Sequence, residues 1–341
     1  LHEILLIIMI ISQEEYTLKK ALLAYTRSLL KGRALRVTAA LLLAFGALIL
    51  AGCGGSSSSG DSSYYSDSSG SGSSATSSTA YLQSGGSVTK TSQTYTTSTT
   101  DESAVKVTNS GVLTLSDSTI SSSGETTSAD NSSFYGLNAA VLATTASTIN
   151  LYNSSVTTTG TGANGVFSTD SGSSIVLKNV TIKCTGRLGH GVDATNGGSL
   201  TLTDVNIDTA GSNGAALATD RGSGTITATG GTMNTSGTDS PGIYSTGNIT
   251  VSGATIAATG SEAAVIEGSN SITLTSTKLS GSKKWGVMIY QSMSGDAQGS
   301  TGTYTMTGGS LSASTGPLFY VTNATGIITL TGVTTTATSG T

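Results

Sequence analysis

Charge, cysteine, proline and aromatic residues are all scarce in this chain. Of 341 residues, Lys and Arg number 15, Asp and Glu 19, and His 2, a charged share of 10% against the usual quarter. Two cysteines cannot staple a disulfide scaffold. Two histidines beside so few acids leave little material for a metal cluster, so neither metal nor cofactor is expected. The net charge of −4, without a dense basic tract in the body, excludes a nucleic-acid footprint. Only two prolines, together with regularly spaced aliphatics, argue against a disordered chain. What is abundant is serine, threonine and glycine. That composition suits a repetitive β-structure with short outward side chains, provided the aliphatics recur at a fixed period.

Residues 1–52 read differently from the rest. They hold Lys19, Lys20, Arg27, Lys31, Arg33 and Arg36, followed by the apolar run Ala39–Ala51. Basic residues ahead of about a dozen apolar ones match an export signal. The run ends Leu50-Ala51-Gly52-Cys53 and passes into Gly54 and a serine tract. This stretch resembles the lipobox of bacterial lipoproteins. The resemblance implies cleavage before Cys53, acylation of that cysteine, and a lipid-anchored position on the bacterial cell envelope, facing outward. Residues 1–18, with a separate apolar run Ile4–Ile11, are consistent with an over-extended gene start. Removing 1–52 leaves nine Lys/Arg and sixteen Asp/Glu, a net charge of −7, which favours solubility and specifies no partner.

Residues 53–103 carry few aliphatics and read as a lipidated cysteine with a Ser/Gly/Thr-rich tether, since such a segment buries too little apolar surface to offset ordering its backbone. From 104 to 341 a repeat takes over. Each unit has an apolar-x-apolar strand, an aliphatic five residues later, and a third short apolar strand. The second apolar positions are Leu115, Leu151, Leu177, Leu202, Ala228, Val251, Leu274, Met306 and Leu330, at intervals of 36, 26, 25, 26, 23, 23, 32 and 24 residues. Period-two alternation places these aliphatics inside and threonines outside, and no amphipathic helical period is visible. Units of this length with three strands resemble the right-handed single-stranded parallel β-helix of the pectate-lyase-like superfamily. The reading is therefore all-β, a β-solenoid of about nine coils. The last strand, with Ile328 and Leu330, is followed by no recognisable cap, which leaves open a truncated C-terminus.

The two long intervals contain excursions at Glu125–Tyr135 and Gln291–Thr303, loops of the kind that carry recognition on rigid scaffolds. The densest polar group is Lys183, Arg187, His190, Asp193, Asp204 and Asp208. Asp193 with Asp204 or Asp208 would be the acid and base of a polysaccharide lyase or glycoside hydrolase, with Arg187 or Lys183 holding an acidic sugar and His190 nearby. Glycoside hydrolysis needs two carboxylates across one bond, whereas these aspartates fall on different parts of a coil. Cys184 reads as a small filler. Trp285 with Lys283, Lys284 and Tyr290 is the candidate ligand contact, for a sugar ring or a peptide.

The expectation is a non-catalytic, lipid-anchored surface protein that resembles adhesin-like β-helix proteins. It would anchor to a membrane through Cys53 and bind a glycan or a surface protein through lateral faces and loops. Alternatives are an extracellular lyase or hydrolase and a passive structural layer. A remoter one rests on rows such as Thr201/Thr203 and Thr273/Thr275, which resemble ice-binding surfaces.

Overall fold

The computed structural model describes residues 79–338. Cys53, the apolar run Ala39–Ala51 and the serine tract lie outside the described residues. Thirty strands stack into three parallel ten-stranded sheets, and successive strands pass from one sheet to the next. The described residues thus form a parallel β-solenoid of ten coils, one more than the nine read from the sequence. Sheet A takes the first strand of each coil (Val192–Thr195 in the fifth), sheet B the second (Ser199–Thr203) and sheet C the third (Asn206–Thr209). Among the described residues no helix is long and apolar enough to cross a membrane.

Strand register follows from stacking like on like. In sheet B, Ile149, Ile175, Leu200, Ile226, Ile249 and Ile272 are successive partners, and all are buried in one continuous core. Two residues on, Leu151, Leu177, Leu202, Ala228, Val251 and Leu274 form a second inward column. A one-residue slip would turn both columns to solvent, so register is strongly specified. In sheet C the inward column at the strand end is kept small: Thr158, Cys184, Thr209, Thr235 and Ala258. Cys184 is fully buried there and its thiol donates to the His190 carbonyl at 3.3 Å. It is the filler expected of it.

The extra coil is the first, with strands Thr79–Ser84, Ser87–Thr91 and Thr94–Thr97. The solenoid therefore begins within the segment read as tether, not at 104. Its inward positions hold Tyr81, Val88 and Tyr95, packed against the core, in place of an aliphatic pattern. Gln83 Nε2 donates to the carbonyls of Gly85, Gly86 and Val112, satisfying backbone that a regular apolar residue would leave bare.

The corner between sheets B and C needs one left-handed residue. Asn179, Asp204, Gly230, Gly253 and Ser276 occupy it, with φ between 48° and 69°. Asn, Asp and Gly tolerate that region best, so Asp204 is explained by its backbone. After sheet C, glycines stack directly: a Cβ on Gly160, Gly186, Gly211 or Gly237 would lie 1.8–1.9 Å from the carbonyl oxygen of the glycine one coil earlier.

The first long interval contains a helix, α1 (Ala129–Tyr135), where strand and loop alone were expected. Ser128 accepts the Asn131 N–H as N-cap, and Gly136 ends the helix in the left-handed region at φ 71°. A polar seven-residue segment has no helical stability of its own; caps and contacts to the solenoid hold it. The second interval, 291–300, forms a strap. Residues 301–303, read as part of the loop, already belong to the strand Thr301–Thr307.

Candidate functional site

Both excursions fold over the outward side of sheet A. There Phe167, Asp193, Ala218, Tyr244, Val265, Met288 and Tyr320 are successive partners in one row. Helix α1 covers the early part. The Phe134 carbonyl accepts from Thr195 Oγ1 at 2.8 Å and Asn196 Nδ2 at 2.9 Å, while Phe167 packs with Ala139 and Leu142 beneath the excursion. The strap covers the flank of the later part. Arg221 links the two: its guanidinium lies 3.9 Å from the Phe134 ring centroid and 2.9 Å from Asp296 of the strap.

Under this cover His190, Asp193 and Asp220 come together, their nearest ligand-type atoms all within 4.8 Å. Their residues are only 6%, 0% and 8% exposed. His190 Nε2 sits 3.3 Å from Asp220 Oδ2. Asp193 receives the Asp220 N–H at 3.3 Å on Oδ1, and its buried Oδ2 has no partner. Burial first, then the Asp220 carboxylate, pushes the Asp193 carboxyl well above the usual range, against His190 and the N–H groups of Asp220 and Ala194. Asp193 therefore resists ionisation far more than an exposed aspartate does.

Two influences compete on His190. Burial opposes charging the ring, but Asp220 and then Asp193 outweigh it and push the pKa up to about 9. Against this, the Ala215 N–H donates to Nδ1 at 2.9 Å, a bond that only an unprotonated Nδ1 accepts. The direct contact decides, because a proton there would set two N–H groups against each other. The ring is neutral, with its proton on Nε2 facing Asp220.

That tautomer also decides the metal question. A metal-bound histidine donates its other ring N–H to an acceptor, whereas Nδ1 here faces a donor. Coordination through Nε2 would require an imidazolate. With Nδ1 taken by the Ala215 N–H, the donor chemistry of the trio does not fit a metal bound through Nε2.

Farther along the face, Glu267, 1% exposed, accepts from Tyr244 Oη at 2.6 Å, Tyr290 Oη at 2.8 Å, and the hydroxyls of Ser292 and Ser294. It ties the strap to the sheet. Lys284 is held by Asp239 and by Glu262 at 3.7 Å. Trp285 stacks on Tyr320, with ring centroids 4.1 Å apart and planes within 10°. Tyr320 is 38% exposed, and Trp285, Met288 and Tyr244 are half-buried. Aromatic and aliphatic side chains thus reach the surface at Tyr244 in coil seven and at Met288, Trp285 and Tyr320 in coils nine and ten, interrupted by the buried Val265 of coil eight, with polar side chains on both sides.

The expected site residues scatter accordingly. Asp193 and His190 meet, but their partner is Asp220. Asp208 is exposed on sheet C, where its Oδ1 accepts from Asn234 at 2.9 Å; Asp204 sits in the B–C corner, and Arg187 is exposed in a turn. Lys183 is the sheet-C register partner of Asp208. Of the ligand-contact group, Trp285 lies at this surface with Lys283 exposed beside it, Lys284 is ion-paired on the rim, and Tyr290 is buried on Glu267. Asp220, Glu267, Tyr244 and Tyr320 were missed. Spacing carried a signal, since Asp220 follows Asp193 by 27 residues, one coil plus two, which keeps both on one side of sheet A.

Fold and face together define a parallel β-solenoid with one lateral face partly roofed by its own insertions. The chain matches no family model, no curated protein and no solved structure.

Proposed function

We propose that this protein is a non-catalytic, lipid-anchored surface protein that binds glycans on the outward side of sheet A. One observation carries the reading: Trp285 and the partly exposed Tyr320 stack on each other beside Met288 on the outward side of sheet A, with polar side chains on both sides. Aromatic faces pair with the apolar faces of sugar rings, and the rims supply hydrogen bonds. Shallow, wet contacts of this kind bind without a deep pocket. The acids that converge nearby argue against hydrolysis or elimination. A catalytic acid must reach its substrate, while Asp193 and Glu267 are sealed at 0% and 1% exposure.

Glycan-array binding by the full chain tests the reading. Trp285→Ala and Tyr320→Ala are expected to lower affinity at least tenfold while leaving the far-UV spectrum unchanged; undiminished binding would reject this surface. Release of oligosaccharides from a polysaccharide panel would favour the enzymatic alternative. Acylation at Cys53 belongs to the same proposal. Cys53→Ala should lose acyl labelling and detergent-phase partitioning, and retained labelling would refute it.

A second reading rests on sheet B. Outward Thr201, Thr227, Thr250, Thr273, Thr305 and Thr329 are consecutive partners on six coils, flanked by Thr203, Thr229, Ser252, Thr275, Thr307 and Thr331. Such a regular uncharged hydroxyl lattice supports ice binding. Thermal hysteresis lost on Thr250→Lys would favour it, and no hysteresis in the unaltered chain would dismiss it.

A further inference from the structure

The carboxyl groups beneath the two excursions outnumber the charge that could balance them. Sheet A and its turns bring Asp193, Asp220 and Glu267 under cover, all buried, and the strap adds Asp296. Against these four stands one guanidinium, that of Arg221, held between Asp296 at 2.9 Å and the Phe134 ring of helix α1. The neutral His190 ring adds hydrogen bonds and no charge, with Nε2 facing Asp220 and Nδ1 accepting the Ala215 N–H. Tyr244 and Tyr290 likewise reach Glu267 as hydroxyl donors. The acids are coupled through short links. Asp193 Oδ1 accepts the Asp220 N–H, and Ser294 joins the other two, accepting the Asp296 N–H at 3.3 Å and donating to Glu267 at 3.4 Å.

Closing the strap therefore carries a charge penalty. Ionised carboxyls are costly to take out of water unless each is paired, and carboxylates that share one site do not all ionise at the ordinary pH. Lifting 291–300 off the sheet returns Asp296 to water and separates it from Glu267 and Asp220, so the open form holds no extra proton. The closed form does. Burial first, and the Asp220 carboxylate with it, raises both Asp193 and Asp296 above the usual range, for Asp296 against Ser294 and Arg221. Linkage fixes the sign, because the state that binds protons more tightly is favoured as pH falls. We propose that the strap 291–300 is a pH-sensitive clasp, closing more tightly over sheet A on acidification and loosening as the surplus carboxyl groups ionise. The Arg221–Asp296 pair alone would act the other way, since protonating Asp296 cancels it. One guanidinium against four acids decides for the surplus.

Hydrogen exchange of the full chain, with each rate divided by the intrinsic rate at the same pH, tests the clasp. Protection of 291–300 should rise roughly tenfold or more from pH 8 to pH 5, the change produced by about a third of a proton taken up per closing. Ser199–Thr203 in sheet B, a strand without a titratable side chain, should change less. Asp220→Asn removes one surplus carboxylate and leaves both strap ties in place, so it should raise protection at pH 8 and flatten the pH dependence. Arg221→Gln enlarges the surplus and should steepen it. If either variant fails to fold, the parent series decides by itself. Protection of 291–300 that stays level or falls between pH 8 and pH 5 would overturn the clasp, a fall meaning that the Arg221–Asp296 attraction governs the strap. An undiminished slope in folded Asp220→Asn would equally overturn it.

Discussion

Replacing Gly211 with alanine isolates what the glycine column contributes. Gly211 has no left-handed φ, so alanine suits the backbone and the only obstacle is the neighbouring coil. An added Cβ would stand 1.8 Å from the Gly186 oxygen, 2.4 Å from its carbonyl carbon and 2.9 Å from the Arg187 nitrogen. A tolerable carbon–oxygen contact is about 3.3 Å, so the coils must part locally by about 1.5 Å. Two backbone bonds cross this seam, Ala210 N–H to the Cys184 carbonyl and Leu188 N–H to the Ser212 carbonyl, each 2.8 Å. Opening by that amount takes both beyond hydrogen-bond range. Their loss costs about 0.5–1.5 kcal/mol each, and the overpacking adds about 1–3 kcal/mol. The expected destabilisation is about 2–6 kcal/mol. Gly253→Ala is the control, because its Cβ would meet nothing within 4 Å and its φ is 66°; only the left-handed penalty of about 1–2 kcal/mol applies. Urea midpoints of the two variants and the parent chain measure the difference. If Gly211→Ala costs no more than Gly253→Ala, the carbonyl contact is not what selects glycine.

Three further outcomes follow from the sheet-A face and the core. Asp193→Asn should become progressively more stabilising, relative to the parent, as pH rises above about 4. The folded carboxyl keeps a proton that the unfolded one releases, so the parent loses stability through that window while asparagine does not; a pH-independent difference in denaturation midpoints would contradict the raised pKa. Cys184, whose thiol burial pushes up to about 11, should resist iodoacetamide in the native chain and react once unfolded, and rapid native labelling would place it elsewhere. Arg221→Ala should speed amide exchange in both 129–136 and 291–300 while lowering global stability by only about 1 kcal/mol, the scale of a half-exposed ion pair and one cation–π contact. Faster exchange in one segment alone would mean that Arg221 does not join them.

Much of the solenoid is legible in residue order because its rules are local. The columns through Ile175 and Leu177 announce themselves by period-two alternation and a repeat near 25 residues, and the B–C corner by Asn179, Asp204 and Gly230 at one register position. The first coil escaped this pattern because Tyr81, Gln83 and Tyr95 do by ring packing and side-chain hydrogen bonds what aliphatics do elsewhere. Helix α1 escaped for a similar reason: ADNSSFY is helical through Ser128, Gly136 and the sheet beneath it, not through a periodic apolar face.

Residue order by itself determined the fold class, the inward columns and the places where the coil is interrupted, since each depends on neighbours along one strand or at one fixed spacing. The scarcity of charge was real, but its distribution was not readable in that way. Asp193, Asp220, Glu267, Arg221 and Asp296 are spread over about a hundred positions, and only the stacking of coils, with two insertions folded onto the same sheet, brings them together. Burial and partner geometry are properties of that assembly. They made Asp193 a sealed acid, put the His190 proton on Nε2, and left Trp285 and Tyr320 facing outward.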